Sequence, residues 1–347
     1  VDLSLTSEQE QLVDAFASLY GKHATPERVR DAEPGGFDKA LWEQVQELGV
    51  VSMAVDEAHG GWGASPLELT LVAEQQGRFV APVPIIETQV AARLLARLDG
   101  EVAATSLAAV LAGDRMVTLA LHPERNGKAG LVPAAAVADD AIVRSGDRLL
   151  LVPLESARTL VENLGSMPVA DVAVGGDVQQ LASGAAALDA LDQAIDDFLR
   201  LTAAALVGIG ARALEIGVEY VTERKAWGVP IGSFQSVAHR LADSATAVDG
   251  ARLLAYEAAW AAEDEPERAA ELAGMAFAFG YETARDATYR SLHYHGGYGF
   301  MMEYDVQLYY RRARAWAGVY GDPVAVYRRV ADRRYGPVGT ASNGGAG

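Results

Sequence analysis

The chain contains no cysteine. That excludes disulfides, thiolate nucleophiles and sulfur-ligated metals, and it leaves the compartment open, with a cytoplasmic protein as the default expectation. Basic residues are few: 29 Lys and Arg stand against 47 Asp and Glu, a formal charge of −18. Nucleic acid is held by basic patches that neutralise its phosphates, so no nucleic-acid partner is expected. No apolar run reaches the roughly 18 residues of a membrane span, and no basic stretch followed by an apolar one opens the chain. Neither a membrane partner nor a secretory route is expected. The six histidines show no paired metal-ligand spacing, since His293 and His295 alternate rather than share a helix face. No metal is expected either. An acidic surface chiefly favours solubility, so any anionic ligand has to be held by local arginines or helix N-termini.

What is present is helix, interrupted once. Thr6 or Ser7, followed by Glu8, Gln9 and Glu10, predicts a capped helix over residues 5–23, with Leu12, Val13, Phe16, Leu19 and Tyr20 on one face. Further helices are expected over 38–48, from Ser65-Pro66 to about Phe79, and over 85–98. Near Gly113 the texture changes. Short β-rich runs at 116–121, 141–143, 149–152 and 169–174, with turn signals at Asn126-Gly127 and Ser145-Gly146-Asp147, predict a small antiparallel β unit. Helices then return, at about 189–227, 236–263, 266–293, 305–316 and 323–333, and form a bundle. The fold class is therefore α+β and mainly α. An N-terminal helical domain is expected over 1–112, a reduced middle β domain over 113–184 and a helical bundle over 185–335. A Gly-, Ala-, Ser- and Asn-rich tail over 336–347 is expected to be disordered.

Two glycine-punctuated corners in the bundle carry the chemistry. The first runs from Arg224 to Gln235, where Gly228, Pro230 and Gly232 break the helix between an arginine fork and an amide. The second is His293-Tyr294-His295-Gly296-Gly297-Tyr298-Gly299-Phe300, where paired glycines allow a backbone to approach a ligand closely. Taken singly, each also reads as an ordinary helix end.

Taken together, Arg-x-x-aromatic-Gly-x-Pro-Ile-x-x-Phe-Gln and the later Gly-Gly-x-Gly-Phe resemble the flavin-dependent acyl-CoA dehydrogenase family. So do Leu48-Gly49-Val50, Asp56-Glu57 with Gly60-Gly61 and Gly63, Gln76-Gly77-Arg78, and Arg240-Leu241-Ala242-Asp243. The resemblance implies three domains, helical, β and four-helix bundle, and FAD bound at a subunit interface. On it, Arg224 and Gln235 match residues that hold the pyrophosphate and adenosine portion, and Trp227 packs on the nucleotide in place of a usual Phe. His293 stands where a Gln is usual, ahead of Gly296 and Gly297.

Departures from the family pattern set the functional expectation. The family needs a carboxylate to take the substrate's α-proton. Its two usual homes fall here on Tyr320 and on Phe198, and neither aromatic can serve, since tyrosine's reference pKa is about 10. Asp197 and Asp322 are the nearest acids, each one or two positions out of place, and one position turns a helix by about 100°. The family's Gly-Ser-Asp flavin loop and Trp-hydroxyl segment are also missing between Arg115 and Gln180. A chain that keeps cross-subunit flavin contacts and lacks a base resembles the non-catalytic subunit of a heteromeric α2β2 acyl-CoA dehydrogenase, with no catalytic residue of its own. A self-sufficient dehydrogenase with a non-standard base, and a flavin-free scaffold, are the alternatives.

Overall fold

The computed structural model describes residues 3–336. Residues 337–347, which make up most of the expected disordered tail, lie outside that range. Six helices come first: α1 (Ser7–His23), α2 (Pro26–Asp31), α3 (Lys39–Glu47), α4 (Pro66–Arg78), α5 (Ile85–Ala96) and α6 (Glu101–Leu111). Capping boxes start α1 at Thr6 and α4 at Ser65, because each hydroxyl and its partner three residues on satisfy two otherwise orphaned amides. The short α2 begins at Pro26 behind the Thr25 cap. Neither it nor α6 has the long amphipathic pattern that marks the other helices in the sequence.

Seven strands follow: β1 (Val117–Leu119), β2 (Lys128–Val132), β3 (Asp140–Ser145), β4 (Arg148–Pro153), β5 (Arg158–Leu160), β6 (Ala170–Ala173) and β7 (Gln179–Ser183). They form a four-stranded sheet ordered β1-β3-β4-β7 and a three-stranded sheet ordered β2-β6-β5. The expectation of a purely antiparallel unit needs one correction, because β1 and β3 run parallel. The segment between them leaves to place β2 in the other sheet, so the chain returns in the same direction. The Ser145-Gly146-Asp147 signal does close a hairpin, pairing Ser145 with Arg148 and placing Gly146 at φ +64°.

The bundle consists of α7 (Ala185–Glu223), α8 (Gln235–Asp264), α9 (Pro266–Tyr294), α10 (Val306–Gly318) and α11 (Ala325–Tyr335). By length and composition α7 could cross a membrane, yet 72% of its apolar window is buried inside this protein, as in a core helix. Its glycines explain how it packs so deeply. A Cβ on Gly208 would lie 2.0 Å from the Glu74 carbonyl oxygen, and one on Gly77 of α4 would lie 1.8 Å from that of Ala205. The two backbones therefore meet through reciprocal notches. Elsewhere Glu33, in the turn just after α2, takes Arg311 and Arg312 of α10, while Arg311 also donates to the Leu164 carbonyl at 3.0 Å. That junction ties the helical layer, the β layer and the bundle at one point.

Candidate functional site

Helix α7 ends four residues earlier than expected, with Arg224 as its C-cap, so Trp227 leaves the helix. The corner is a miniature hairpin of β8 (Lys225–Ala226) and β9 (Val229–Pro230). Its two turn residues, Trp227 and Gly228, have φ of +50° and +84°, the pattern of a two-residue primed turn. A bulky residue at positive φ is strained, and such strain gathers at functional sites. Trp227 is nonetheless 90% exposed, with only the Phe234 ring edge-on at 5.8 Å. Arg224 is held by its backbone, donating to Tyr220 at 2.9 Å and accepting from Ile231 at 2.8 Å. Its exposed guanidinium has no acceptor among the described residues. Gln235 is the first residue of α8, and no side chain caps that N-terminus. A free cation, an exposed indole and open helix-terminal amides thus share one corner.

The second corner follows the end of α9. His293 is exposed, its ring stacked 6.0 Å from Tyr289. Gly296 takes φ +61°, and a Cβ on it or on Gly297 would meet nothing in this chain. The backbone conformation of Gly296 itself favours glycine, whereas neither conformation nor contacts within the chain demand it at Gly297, and both leave open space. The structure brings the two corners together. Tyr220, one turn before Arg224, stacks on His295 at 4.0 Å, and the His295 Nδ1 lies 2.7 Å from the Ser291 carbonyl oxygen. His295 is buried where His293 is exposed, so the two histidines do differ in face.

Both positions on which the resemblance places the family carboxylate are locked into packing. The Tyr320 hydroxyl accepts from Arg329 at 2.9 Å, its ring meets Phe277 edge-on at 5.9 Å, and its carbonyl lies 2.6 Å from His122 Nε2. Phe198 helps to wall a cavity of only about 50 Å³, with Gln76, Met167, Thr202 and Trp316. That is room for a few waters, not for an acyl chain. Asp197, the nearest acid, points elsewhere. Arg93 and Arg97 reach one of its oxygens at 2.9 and 2.7 Å, and Arg200 reaches the other at 2.6 Å. Burial alone would raise its pKa, but the three arginines more than reverse this and hold it far below the usual carboxylate range. Such a group cannot take a proton at neutral pH. Asp322 is exposed and accepts from the Val324 amide at 3.0 Å.

One group escaped the sequence reading. Glu87 of α5 faces the Phe198 cavity, and its carboxyl meets no other residue's donor among the described residues. The residue as a whole is partly exposed, yet desolvation of its carboxyl pushes its pKa up to about 7. The run Val83-Pro84-Ile85-Ile86-Glu87 shows only an apolar helix start. No local pattern announces the cavity.

A second opening, a groove of about 360 Å³, lies between the β layer and α10, with Leu131, Val161, Leu164, Met167 and Tyr310 in its walls. Its polar side chains are largely spoken for. Asn163 bonds four backbone groups, and Arg314 donates to the Tyr310 carbonyl while its guanidinium lies 3.7 Å from the Tyr310 ring centroid.

Residues 6–113 match the model of the acyl-CoA dehydrogenase N-terminal domain, and residues 197–322 that of its C-terminal domain. The acyl-CoA dehydrogenase IpdE2 of Mycolicibacterium smegmatis is 28% identical over 329 residues, spanning 94% of this chain and 98% of that protein. The ChsE4–ChsE5 complex from Mycobacterium tuberculosis contains a chain that superposes with a TM-score of 0.87 at 26% identity, covering 96% of this chain and 99% of that one. A variant of the Tcur3481–Tcur3483 steroid ACAD gives a TM-score of 0.85 at 27% identity, over 94% of this chain and 97% of the other. The two domain models take in well over half of the sequence, on either side of the β layer, and the chain is a member of the acyl-CoA dehydrogenase family.

Proposed function

We propose that this chain is the non-catalytic subunit of a heteromeric, FAD-dependent acyl-CoA dehydrogenase. It completes the flavin site of a homologous partner, and the partner brings the base that takes the substrate's α-proton. The observation that carries this reading is a contrast within one chain. The outward corners offer unpaired groups, whereas the inward base positions hold packed aromatics. The residues present fit a dinucleotide approaching from outside. Arg224 and the open N-terminus of α8 suit a pyrophosphate, Trp227 suits a ring face, and Gly296 and Gly297 leave space for close approach. When bound, FAD supplies the hydride acceptor for α,β-dehydrogenation of the acyl-CoA. Its own groove beside α10 fits a flavin poorly, because the donors there are mostly consumed by neighbouring backbone.

An α2β2 assembly with two flavin sites follows from this division of labour. A bulky lipid or steroid CoA ester suits as substrate, since relatives with the same chain coverage include a steroid ACAD. The test is flavin absorbance of the chain purified alone and with its co-expressed homologous subunit. Flavin is expected only in the complex, and stoichiometric FAD on the lone chain would overturn the reading. Arg224→Ala should lower the flavin content of the complex and leave the helical circular dichroism of this chain unchanged.

A further inference from the structure

The cluster around Asp197 carries more positive charge than its carboxylate balances. Arg93 of α5, Arg97 at its C-cap and Arg200 of α7 all donate to this one aspartate. Asp197 and Arg200 are 4% and 3% exposed, whereas the side chains of Arg93 and Arg97 are 20% and 25% exposed, so the excess charge faces outward. Arg97 Nη1 and Arg200 Nε are buried with no acceptor, a costly state for charged donors. Burial lowers the pKa of Arg200, and repulsion from Arg93 and Arg97 adds to that against the pull of Asp197.

Arg93 and Arg97 also line a cavity of about 270 Å³ between residues 54–66, α5 and the end of α8. Arg93 uses Nε on Asp197 and Nη1 on the Ala54 carbonyl, and Arg97 uses only Nη2. Arg93 Nη2 and Arg97 Nε have no acceptor among the described residues. Two acids stand on the rim; Asp56 feels the charge of Arg93, and neither forms an ion pair with Arg93 or Arg97. Asp56 is occupied by the His59 amide and ring, and Glu263 is exposed to water.

We propose that this cavity binds a phosphate-sized oxyanion, free or as the phosphate group of a larger molecule, through Arg93 and Arg97. Planar guanidinium forks match tetrahedral oxyanions in geometry as well as charge. The site lies roughly 40 Å along α7 from Arg224, at 1.5 Å per residue. It is independent of the flavin corners and of the reading given above.

Titration calorimetry and thermal melts of the purified chain test this with inorganic phosphate and with adenosine 3′,5′-bisphosphate, against sodium chloride at equal ionic strength. Saturable binding and a melting rise that chloride does not reproduce are expected. Tighter binding of the bisphosphate would identify a larger ligand as the source, and tighter binding of phosphate a free ion. Arg97→Gln should weaken binding at least tenfold, and Asp197 keeps Arg93 and Arg200, so the fold persists. Glu263→Gln, at an exposed position, should tighten binding. No saturable binding by the wild type, a response equal to that of chloride, or unchanged affinity in Arg97→Gln would overturn the proposal.

Discussion

Replacing Glu87 by Gln should stabilise this protein at neutral and alkaline pH, and scarcely at all at pH 4.5. The substitution keeps the shape of the side chain, so the walls of the small cavity are undisturbed, and it removes a titration. In the folded chain burial raises the carboxyl's pKa from 4.5 to about 7. Below pH 4.5 the group is protonated in both states and contributes nothing to the difference. As pH rises from 4.5 to 7 the unfolded chain releases its proton and the folded chain retains it, so stability falls through that window. Above pH 7 the loss is constant. The gap corresponds to about 3 kcal/mol at 1.36 kcal/mol per pH unit. Urea denaturation of wild type and Glu87→Gln at pH 4.5, 6 and 8 measures it. The two midpoints should nearly coincide at pH 4.5, separate at pH 6, and differ most at pH 8 with the variant the more stable. A difference independent of pH, or a variant less stable at pH 8, would refute the assignment of Glu87 as a buried, unpartnered acid.

Asp197→Asn should destabilise the chain by about 3–5 kcal/mol in the same assay, because it leaves the buried Arg200 without its counter-charge. Gly208→Ala should abolish soluble expression or lower the melting temperature sharply, since the added methyl collides with the Glu74 backbone. Trp227→Ala should leave the unfolding free energy of the lone chain within about 0.5 kcal/mol of wild type, as for other exposed positions. In the complex the same variant should show weaker flavin retention on gel filtration. Glu33→Ala should expose the seam between the layers, and faster proteolysis in residues 162–168 would report it.

Long elements and end signals were legible in the sequence, because helix periodicity and capping are local. Thr6, Ser65 and Pro266 each open a helix where their chemistry predicts one. Edge strands were not legible. Arg158–Leu160 and Gln179–Ser183 are mostly exposed, so they carry no alternating apolar pattern. The parallel pairing of β1 with β3 depends on where a long connection goes, and composition does not encode that. At the candidate site the corners announced themselves through Gly228, Pro230 and Gly296, whereas the stacking of Tyr220 on His295 joins residues far apart in sequence. Asp197 could be named from spacing, but its three arginine partners come partly from another helix. Glu87 left no trace, since an isolated acid after an apolar pair reads as a surface residue.

Helix α7 is a single uninterrupted rod of 39 residues, about 58 Å long. Its early half carries Asp197, Phe198 and Arg200, and its far end carries Arg224. A one-residue insertion near its middle would leave each end with its local sequence intact. It would nevertheless turn one end against the other by about 100° and advance it by about 1.5 Å. The glycine notch against α4 would then face the wrong way, and the outward corner would swing out of line with its neighbour at His295. The rod thus works as a phase standard for the molecule: its residue count, as much as its composition, sets where inside ends and outside begins.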